Sequence, residues 1–306
     1  MKLNDHQHNQ LKEFFNRTNF AEQGGVITDL DGTAIFEFEG RYSVPKSVEL
    51  ALEKIYSLGR PVVINTLRFP LSVINTFGKE WYRISNTPIP TVLMNGSQLG
   101  YLVKNDDGII GYQEITAFPL IATEINDVVA TIRNLVSDGI ENLLVFYYPR
   151  EWKKGEIIWT TSEDKIKMVQ KKYLSASGVY SSSVEQLHTG LLAEEICMIF
   201  LLVQIPQDKL MAYQHTKKSN FFTRKGVDKL SGAKEIARHL KFDLQNSVGA
   251  GDSEMDTFLK GVGLAVHVGN NLLPYNGIFS SMHVGGSSEL GELLFELSIM
   301  QKTATR

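Results

Sequence analysis

The sequence predicts an α/β fold in which a parallel sheet is interrupted by a separate α+β insertion. Short apolar runs rich in β-branched residues alternate with helical patterns over residues 24–66, and this alternation resumes near Phe221. Between these regions the rhythm of the sequence changes. Strand–helix alternation is typical of βαβ units, which require parallel strand pairing. We therefore assign residues 1–115 and 218–306 to the core and residues 116–217 to the insertion.

The first core segment begins with a predicted peripheral helix within Leu3–Phe20, where apolar residues recur at helical spacing. A short apolar run after Gly24 predicts a strand that is buried on both faces. Ser47–Leu58 has helical spacing between a proline start signal and a glycine stop. The segment continues with a predicted strand (Arg60–Thr66), a helix (Leu71–Trp81), a strand (Thr91–Gly96) and a hairpin (Tyr101–Ile115).

Helix and strand patterns are mixed in the insertion, which predicts a unit with its own apolar faces. Its predicted elements are helix Ile121–Val136, strands Asn142–Tyr148 and Glu156–Thr161, helix Glu163–Leu174, strands Val179–Glu185 and Glu195–Ile205, and helix Lys209–His215. The returning core segment is predicted to contain helix Lys229–Leu240, strand Ser247–Asp252, helix Ser253–Leu259, strand Gly263–Val268 and helix Ser287–Gln301.

Composition and charge narrow the class of protein. Of 306 residues, 43% are hydrophobic and 21% charged, and 31 basic against 34 acidic residues give a net charge of −3. This balance does not predict binding to nucleic acid or to an anionic membrane surface. Cys197, the single cysteine, lies in an apolar run and indicates a reducing compartment. Residues 1–20 are polar and no apolar run is long enough to span a bilayer, so we expect a cytoplasmic protein.

Two aspartates, Asp29 and Asp31, follow the first predicted strand and are succeeded by Gly32 and Thr33. In an open α/β sheet, ligands bind outside the carboxyl ends of the strands. A carboxylate pair at this position can hold a hard cation, and one carboxylate can act as a nucleophile. Gly32 allows a sharp turn because it lacks a Cβ atom. A strand that simply ends in an Asp-Gly turn is the structural alternative.

Other polar side chains occur at the ends of predicted strands or at a helix start. Thr66 ends the second strand, Lys229 heads a helix, and Asp252 and Asp256 follow a later strand at the i, i+4 spacing of one helical face. Taken singly, each has an ordinary structural explanation, such as a solvated lysine or acids favoured by a helix dipole. Together, these groups can bind Mg²⁺ and a phosphate dianion.

The same residues match ordered motifs of a known family. Asp29–Thr33 fits a DxDGT motif, and Gly251–Asp256 fits a GDxxxD motif. Thr66 and Arg68 fit a strand-terminal Thr-Gly-Arg motif in which Leu67 replaces the glycine. The sequence therefore resembles the haloacid dehalogenase (HAD) superfamily of phosphohydrolases, and within it the Cof-like, sugar-phosphatase-like branch with a C2-type, C2B-like cap.

The family pattern also includes a lysine, for which this chain offers two candidates. Gly226 precedes Lys229 by three residues, and Asp252 follows Lys229 by 23 positions. This spacing fits the family better than that of Lys225, so we assign the role to Lys229.

The resemblance implies a Rossmann-like core, a cap and a set of residue roles. Asp29 would be the nucleophile that forms an aspartyl phosphate, and Asp31 would serve as acid and base. Mg²⁺ would be held by Asp29, the carbonyl of Asp31 and Asp252, and Asp256 would order metal-bound water or the lysine. The implied metal site therefore comprises Asp29, Asp31, Asp252 and Asp256, and the implied phosphate site comprises Thr66, Lys229, Arg68, Asn95 and Gly32.

The implied function is Mg²⁺-dependent hydrolysis of a small phosphorylated metabolite, with a sugar phosphate as the expected substrate. Tyr147–Lys154 mixes aromatic and cationic residues that would suit such a substrate, although a solvated hairpin tip is the favoured explanation of this segment. A phosphomannomutase-like phosphomutase and a non-catalytic sugar-phosphate-binding protein are the alternatives. We expect no nucleic-acid or membrane partner, and a homodimer is compatible with the sequence.

Overall fold

The computed structural model describes residues 3–38, 41–140, 142–203, 221–270 and 273–304. These residues divide into two compact units. The described parts of Met1–Arg68, Val73–Thr116 and Val227–Arg306 form the first unit, and those of Phe69–Ser72 and Ala117–Gly226 form the second.

The described strands are numbered in chain order. They are β1 (Val26–Thr28), β2 (Phe36–Phe38), β3 (Arg41–Ser43), β4 (Val62–Asn65), β5 (Ile89–Leu93), β6 (Gln98–Lys104), β7 (Ile110–Ala117), β8 (Leu143–Pro149), β9 (Glu156–Thr160), β10 (Ala176–Ser181), β11 (Ile196–Val203), β12 (Phe221–Phe222), β13 (Val248–Gly251), β14 (Leu264–Val268) and β15 (Ser280–Val284).

The described α-helices are numbered in the same way. They are α1 (Asp5–Arg17), α2 (Phe20–Gln23), α3 (Lys46–Ser57), α4 (Pro70–Val73), α5 (Lys79–Ile84), α6 (Ala122–Ser137), α7 (Ile166–Lys172), α8 (Val184–Leu192), α9 (Lys229–Leu240) and α10 (Ser287–Ala304). A π-helical segment, Ile74–Gly78, joins α4 to α5. Short 3-10 helices cover Met94–Gly96, Trp152–Lys154, Glu163–Lys165, Leu244–Asn246 and Thr257–Gly261.

Eight of the described strands form one sheet in the order β15-β14-β13-β1-β4-β5-β6-β7. The pairs from β15 to β5 are parallel, and β5 and β6 pair in antiparallel fashion. Val26 of β1 lies between Val248 of β13 and Val62 of β4. Every residue of β1, β4 and β13 is buried, as expected of a parallel sheet covered on both faces. The carboxyl ends of these three strands therefore meet at one edge.

Helix α9 brings the side chain of its first residue, Lys229, to this edge of the sheet. Its N-cap residue, Asp228, accepts a hydrogen bond from the backbone N–H of Ser231, and this cap begins the helix at Lys229. Ala233, Ile236 and Ala237 form its buried face. The helix contacts β5 and the two 3-10 helices Met94–Gly96 and Thr257–Gly261.

The second unit contains a five-stranded sheet in the order β10-β9-β8-β11-β12. Strand β8 is antiparallel to β9 and β11, whereas β9 and β10 are parallel. Apolar side chains from α6, α8 and the sheet form its core, which includes Ile125, Val129, Leu187, Trp159 and Ile199. The predicted α/β class with an additional α+β unit is therefore confirmed.

Two predicted elements are wrong. The predicted strand Val179–Glu185 ends at Ser181, because the Ser183 side chain accepts from the backbone N–H of Gln186 and caps helix α8. The predicted helix Ser253–Leu259 is replaced by a turn and the 3-10 helix Thr257–Gly261.

Three described strands were not predicted, namely β2, β3 and β15. The predicted helix Lys209–His215 lies outside the described residues. None of the helices in the described ranges combines the length and the hydrophobicity that a membrane-spanning segment needs.

Candidate active site

Asp29 directly follows β1 and has only 5% of its surface exposed. Its backbone N–H donates to Ala250 O at 2.9 Å, which continues the pairing of β1 with β13. Three residues on, Gly32 adopts a left-handed φ of +72°, and a Cβ atom there would lie 2.3 Å from Oδ2 of Asp252. The turn after β1 therefore requires glycine at this position, because a side chain would displace Asp252.

The ammonium group of Lys229 lies between two carboxylates. Its Nζ atom is 2.8 Å from Oδ1 of Asp29 and 2.6 Å from Oδ1 of Asp256. Lys229 is 1% exposed and Asp256 is fully buried, so water does not screen these contacts. The other candidate lysine, Lys225, is exposed. The structure thus brings Lys229 to the aspartates at the sheet edge.

Burial sets the electrostatics of these groups. It raises the pKa of Asp29 from an ordinary value of 3.8 to about 7, although Lys229 opposes the shift. Burial alone would lower the pKa of Lys229, but attraction to Asp29 and Asp256 raises it overall. Burial and repulsion from Asp256 also raise the pKa of Asp252. One buried ammonium therefore offsets only part of the acidic charge at this edge.

Asp256 organises the loop that carries Asp252. Its Oδ2 atom accepts hydrogen bonds from the backbone N–H groups of Asp252 and Ser253, both at 2.9 Å. These bonds hold residues 252–256 as a compact turn, so the predicted placement of both acids on one helical face is wrong. The Thr33 hydroxyl donates to Oδ1 of Asp252 at 3.1 Å and ties this loop to the turn after β1.

Three carboxylates of this edge fit a metal ion. Oxygen atoms of Asp29, Asp252 and Asp256 lie within 4.8 Å of one another. Both carboxylate oxygens of Asp256 accept hydrogen bonds. Among the described residues, only one carboxylate oxygen of Asp29 and one of Asp252 accept a hydrogen bond from a side chain. Hard divalent cations take oxygen ligands of this kind. Asp29 and Asp252 are therefore the better placed ligands, and Asp256 supports them.

The carboxylate of Asp31 lies apart from this cluster of three. The Arg68 guanidinium donates to both of its oxygens, from Nε to Oδ2 at 2.7 Å and from Nη2 to Oδ1 at 2.5 Å. Arg68 was predicted as a phosphate ligand, and in this structure part of its guanidinium contacts Asp31. The Asp31 side chain is 46% exposed and thus remains accessible to a small molecule.

Thr66 and Asn95 follow the neighbouring strands β4 and β5. Thr66 is buried, and its carbonyl accepts from the backbone N–H of Asn95 at 3.4 Å. Met94, Asn95 and Gly96 all have positive φ, at 49°, 56° and 93°. A Cβ atom on Gly96 would lie 2.2 Å from Asp228 O, so this loop packs directly against the start of α9. Consecutive left-handed residues are costly and occur where a site needs them.

One buried residue beside the site was not identified from the sequence. The Asn65 side chain is fully buried and its Nδ2 donates to the main-chain oxygen of Lys229 at 2.9 Å. An amide at the end of the otherwise apolar strand Val62–Asn65 was the available signal.

The candidate segment Tyr147–Lys154 lies in the second unit, where several of its polar groups have partners. Tyr147 donates to the Tyr180 hydroxyl at 3.2 Å. Arg150 pairs with Glu195 at 3.0 Å, and Lys154 pairs with Glu194 at 2.9 Å. Arg150 and Lys154 therefore contact acids of the same unit, whereas the Lys153 ammonium lies over the Trp152 ring.

The first unit thus gathers a buried carboxylate, a hydrogen-bonded acid and a buried ammonium at the carboxyl ends of parallel strands. Carboxylates can accept a phosphoryl group, and an ammonium with a bound cation can neutralise its charge. The arrangement is suited to phosphoryl transfer.

Comparison with solved structures gives similar folds over most of the chain. A subclass IIB sugar phosphatase of the HAD superfamily has a TM-score of 0.60 and 18% identity, and the match covers 92% of this chain and 99% of that one. A protein from Bacteroides thetaiotaomicron, described among phosphatases of the haloalkanoate (HAD) superfamily, has a TM-score of 0.63 and 15% identity over 92% and 97% of the two chains. A haloacid dehalogenase-like hydrolase from B. subtilis has a TM-score of 0.58 and 17% identity over 90% and 98%.

Comparison with curated proteins gives no significant match. A family model of haloacid dehalogenase-like hydrolases matches residues 26–272, which span both units described above. The match confirms the resemblance to the haloacid dehalogenase superfamily and the prediction of a hydrolytic enzyme, and the chain belongs to the haloacid dehalogenase-like hydrolase family.

Proposed function

We propose that this protein is a Mg²⁺-dependent phosphatase that hydrolyses a phosphate monoester through an aspartyl phosphate on Asp29. The observation that carries the proposal is the position of Lys229 Nζ, 2.8 Å from Asp29 and 2.6 Å from Asp256, beside a third carboxylate. Such a concentration of acids destabilises a protein unless a cation binds there. A metal-dependent reaction of an anionic substrate explains why the acids are present.

In the first step, an oxygen of Asp29 attacks phosphorus and the bond from phosphorus to the substrate oxygen breaks. Asp31, oriented by Arg68, gives a proton to the departing alcohol. The hydroxyl of Thr66 and the ammonium of Lys229 bind the phosphoryl oxygens, where negative charge is concentrated. Mg²⁺, held by Asp29 and Asp252, would supply charge neutralisation to the substrate phosphate.

In the second step, water attacks the phosphorus of the aspartyl phosphate. Asp31, now ionised, takes a proton from this water and the acyl phosphate bond breaks. Inorganic phosphate leaves, and both aspartates return to their starting states. The two carboxylates therefore have different roles in the proposed reaction: Asp29 is the nucleophile, and Asp31 transfers the proton in each step.

A phosphorylated sugar or similar small metabolite is the proposed substrate. A site of carboxylates, a hydroxyl and an ammonium is specific for the phosphate group and leaves the alcohol part to other residues. The similarity in fold to a protein described as a subclass IIB sugar phosphatase supports a sugar as that part. A leaving alcohol of this kind needs protonation, which agrees with the accessible Asp31 carboxylate.

The proposal is tested by measuring phosphate release from a panel of sugar phosphates, other phosphorylated metabolites and p-nitrophenyl phosphate, with Mg²⁺ or EDTA. We expect release that requires the metal and is abolished in Asp29→Asn. Asp106→Asn, a change of the same type in an exposed hairpin turn, is the matched control and should retain full activity.

Absence of phosphate release from every compound would contradict hydrolysis. Transfer of phosphate between positions of one sugar, without net release, would indicate a phosphomutase instead. Stabilisation by a sugar phosphate with neither reaction would indicate a binding protein.

A further inference from the structure

Asn65 connects two parts of the site that carry phosphate-binding groups. It is the last residue of β4 and precedes Thr66, and its Nδ2 donates to the main-chain oxygen of Lys229 at 2.9 Å within the buried interior. A flipped amide would place Oδ1 against that carbonyl oxygen, and two acceptors repel. The contact therefore determines the orientation of the amide.

The hydrogen bond between Asn65 and Lys229 lies close in sequence to points where the chain passes from one unit to the other. The chain leaves the first unit after Arg68 for the short segment Phe69–Ser72, leaves it again after Thr116, and returns for the last time at Val227. Asn65 lies three residues before the first departure, and Lys229 lies two residues after the last return. Asn65 thus joins the strand end that holds Thr66 to the helix start that holds Lys229.

The same helix start has a second anchor on the acidic loop. The Thr257 hydroxyl donates to Oδ2 of Asp228 at 3.1 Å and accepts from the backbone N–H of Leu230 at 3.2 Å. Thr257 directly follows Asp256. The first turn of α9 is therefore tied on one side to the loop of Asp256 and on the other to the end of β4.

We propose that Asn65 is a positioning residue for phosphoryl transfer, which holds the Lys229 ammonium in register with the Thr66 hydroxyl. This inference rests on the proposed phosphatase function. Both groups must contact oxygens of the same phosphoryl group, and a displacement of about 1 Å in such a site costs about 100-fold in rate. Without Asn65, the start of α9 loses its hydrogen bond to β4, while its internal hydrogen bonds stay intact.

Asparagine is a poor choice for stability at this position. Its Oδ1 is buried without a hydrogen-bond partner among the described residues. The Lys229 oxygen lies in the first turn of α9, where it also accepts the helical bond from four residues on. An apolar residue of similar size would lose one hydrogen bond but also remove a buried unpaired oxygen, so the net change in stability should be small. The presence of an amide here is therefore explained by its role in positioning Lys229 rather than by a gain in stability.

The test compares Asn65→Leu with the wild type in kcat and KM for p-nitrophenyl phosphate with Mg²⁺, in affinity for inorganic phosphate by calorimetry, and in melting temperature. We expect kcat/KM to fall about 10- to 100-fold, mainly in kcat, and phosphate affinity to weaken. The melting temperature should change by no more than a few degrees.

Gln301→Met is the matched control. Gln301 is also fully buried, and its side-chain amide donates to the main-chain oxygen of Leu58 at 2.8 Å, far along the chain from the site. We expect this variant to keep the wild-type kcat, KM and phosphate affinity.

Wild-type kinetics in Asn65→Leu, or an equal loss in Gln301→Met, would overturn the proposal. If the wild type releases no phosphate, the proposed function fails separately, and equal affinity of wild type and Asn65→Leu for inorganic phosphate would then refute the positioning role. Should Asn65→Leu fail to fold, Asn65→Thr, whose β-branched side chain suits a strand and whose hydroxyl is shorter, serves for the same comparison.

Discussion

The Arg68 guanidinium donates hydrogen bonds to both carboxylate oxygens of Asp31, from Nε at 2.7 Å and from Nη2 at 2.5 Å. The Arg68 side chain is 13% exposed, whereas that of Asp31 is 46% exposed. A bidentate pair of this kind fixes the plane of the carboxylate as well as its position. In the proposed reaction, Arg68 therefore positions the Asp31 carboxyl group, which carries a proton to the leaving oxygen when one of these two bonds opens.

Arg68→Lys should lower kcat about 10- to 100-fold, because a lysine makes single-point contacts and cannot hold both oxygens. The loss should depend on the leaving group. p-Nitrophenol leaves without protonation, so its phosphate should be affected less than a sugar phosphate, whose alcohol needs the proton. Steady-state kinetics with both substrates measure this difference.

Arg238→Lys is the control for the arginine change, because Arg238 makes an exposed bidentate pair with Glu235. It should leave kcat unchanged. An equal loss for both substrates in Arg68→Lys would contradict a role of Arg68 in protonation of the leaving group. It would indicate instead that Arg68 acts in the second step or contacts the phosphate directly.

Lys229→Met should abolish turnover and destabilise the metal-free protein at neutral pH. The variant leaves Asp29 and Asp256 buried without their cation, and breaking a buried ion pair costs about 3–5 kcal/mol. Urea unfolding in EDTA measures the loss of stability, and phosphate release measures turnover.

Lys225→Met is the matched control, since Lys225 is exposed and was the other candidate for the family lysine. It should resemble the wild type in both measurements. Loss of activity in Lys225→Met with retention in Lys229→Met would reverse the assignment.

The stability of the metal-free protein should fall as the pH rises from about 4 to about 7. Burial raises the pKa of Asp29 from 3.8 to about 7, so in this window the folded state binds a proton that the unfolded state has released. The stabilising effect is complete below the lower value and is lost as the pH passes the upper one. Unfolding free energies in EDTA across this range test the expectation.

Asp29→Asn should flatten that pH dependence, because the amide does not titrate. Other groups remain in the variant, so the comparison of slopes, rather than the absolute stability, is informative. An unchanged slope in Asp29→Asn would show that Asp29 titrates near its ordinary pKa in the folded protein.

Mg²⁺ should raise the melting temperature of the wild type, because a ligand bound only to the folded state stabilises it, by about 2.7 kcal/mol at 100 times its Kd. Asp252→Asn should weaken Mg²⁺ binding at least about tenfold, since it removes a charged oxygen ligand. Calorimetric titration with Mg²⁺ alone measures the affinity, with Asp106→Asn as the control. Wild-type affinity in Asp252→Asn would exclude Asp252 as a ligand.

Much of the first unit could be predicted from local sequence. The runs Val26–Thr28 and Val62–Asn65 are apolar, short and bounded by turn residues, which identifies buried strands without knowledge of their partners. Helix α8 was missed because its start depends on a cap at Ser183 that follows a strand-like run. β15 was missed because Ser280–Val284 has little apolar character and owes its conformation to pairing with β14.

The sequence by itself determined the family, the positions of most core strands along the chain and the residue types gathered for chemistry. These follow from hydrophobic periodicity and from motifs whose members lie within a few residues of one another. Only the tertiary structure decided that Lys229 lies between Asp29 and Asp256, that Arg68 holds Asp31 and that Asn65 holds the start of α9. These contacts join residues as far as 200 positions apart, and long-range packing of the parallel sheet, rather than any local pattern, brings them together.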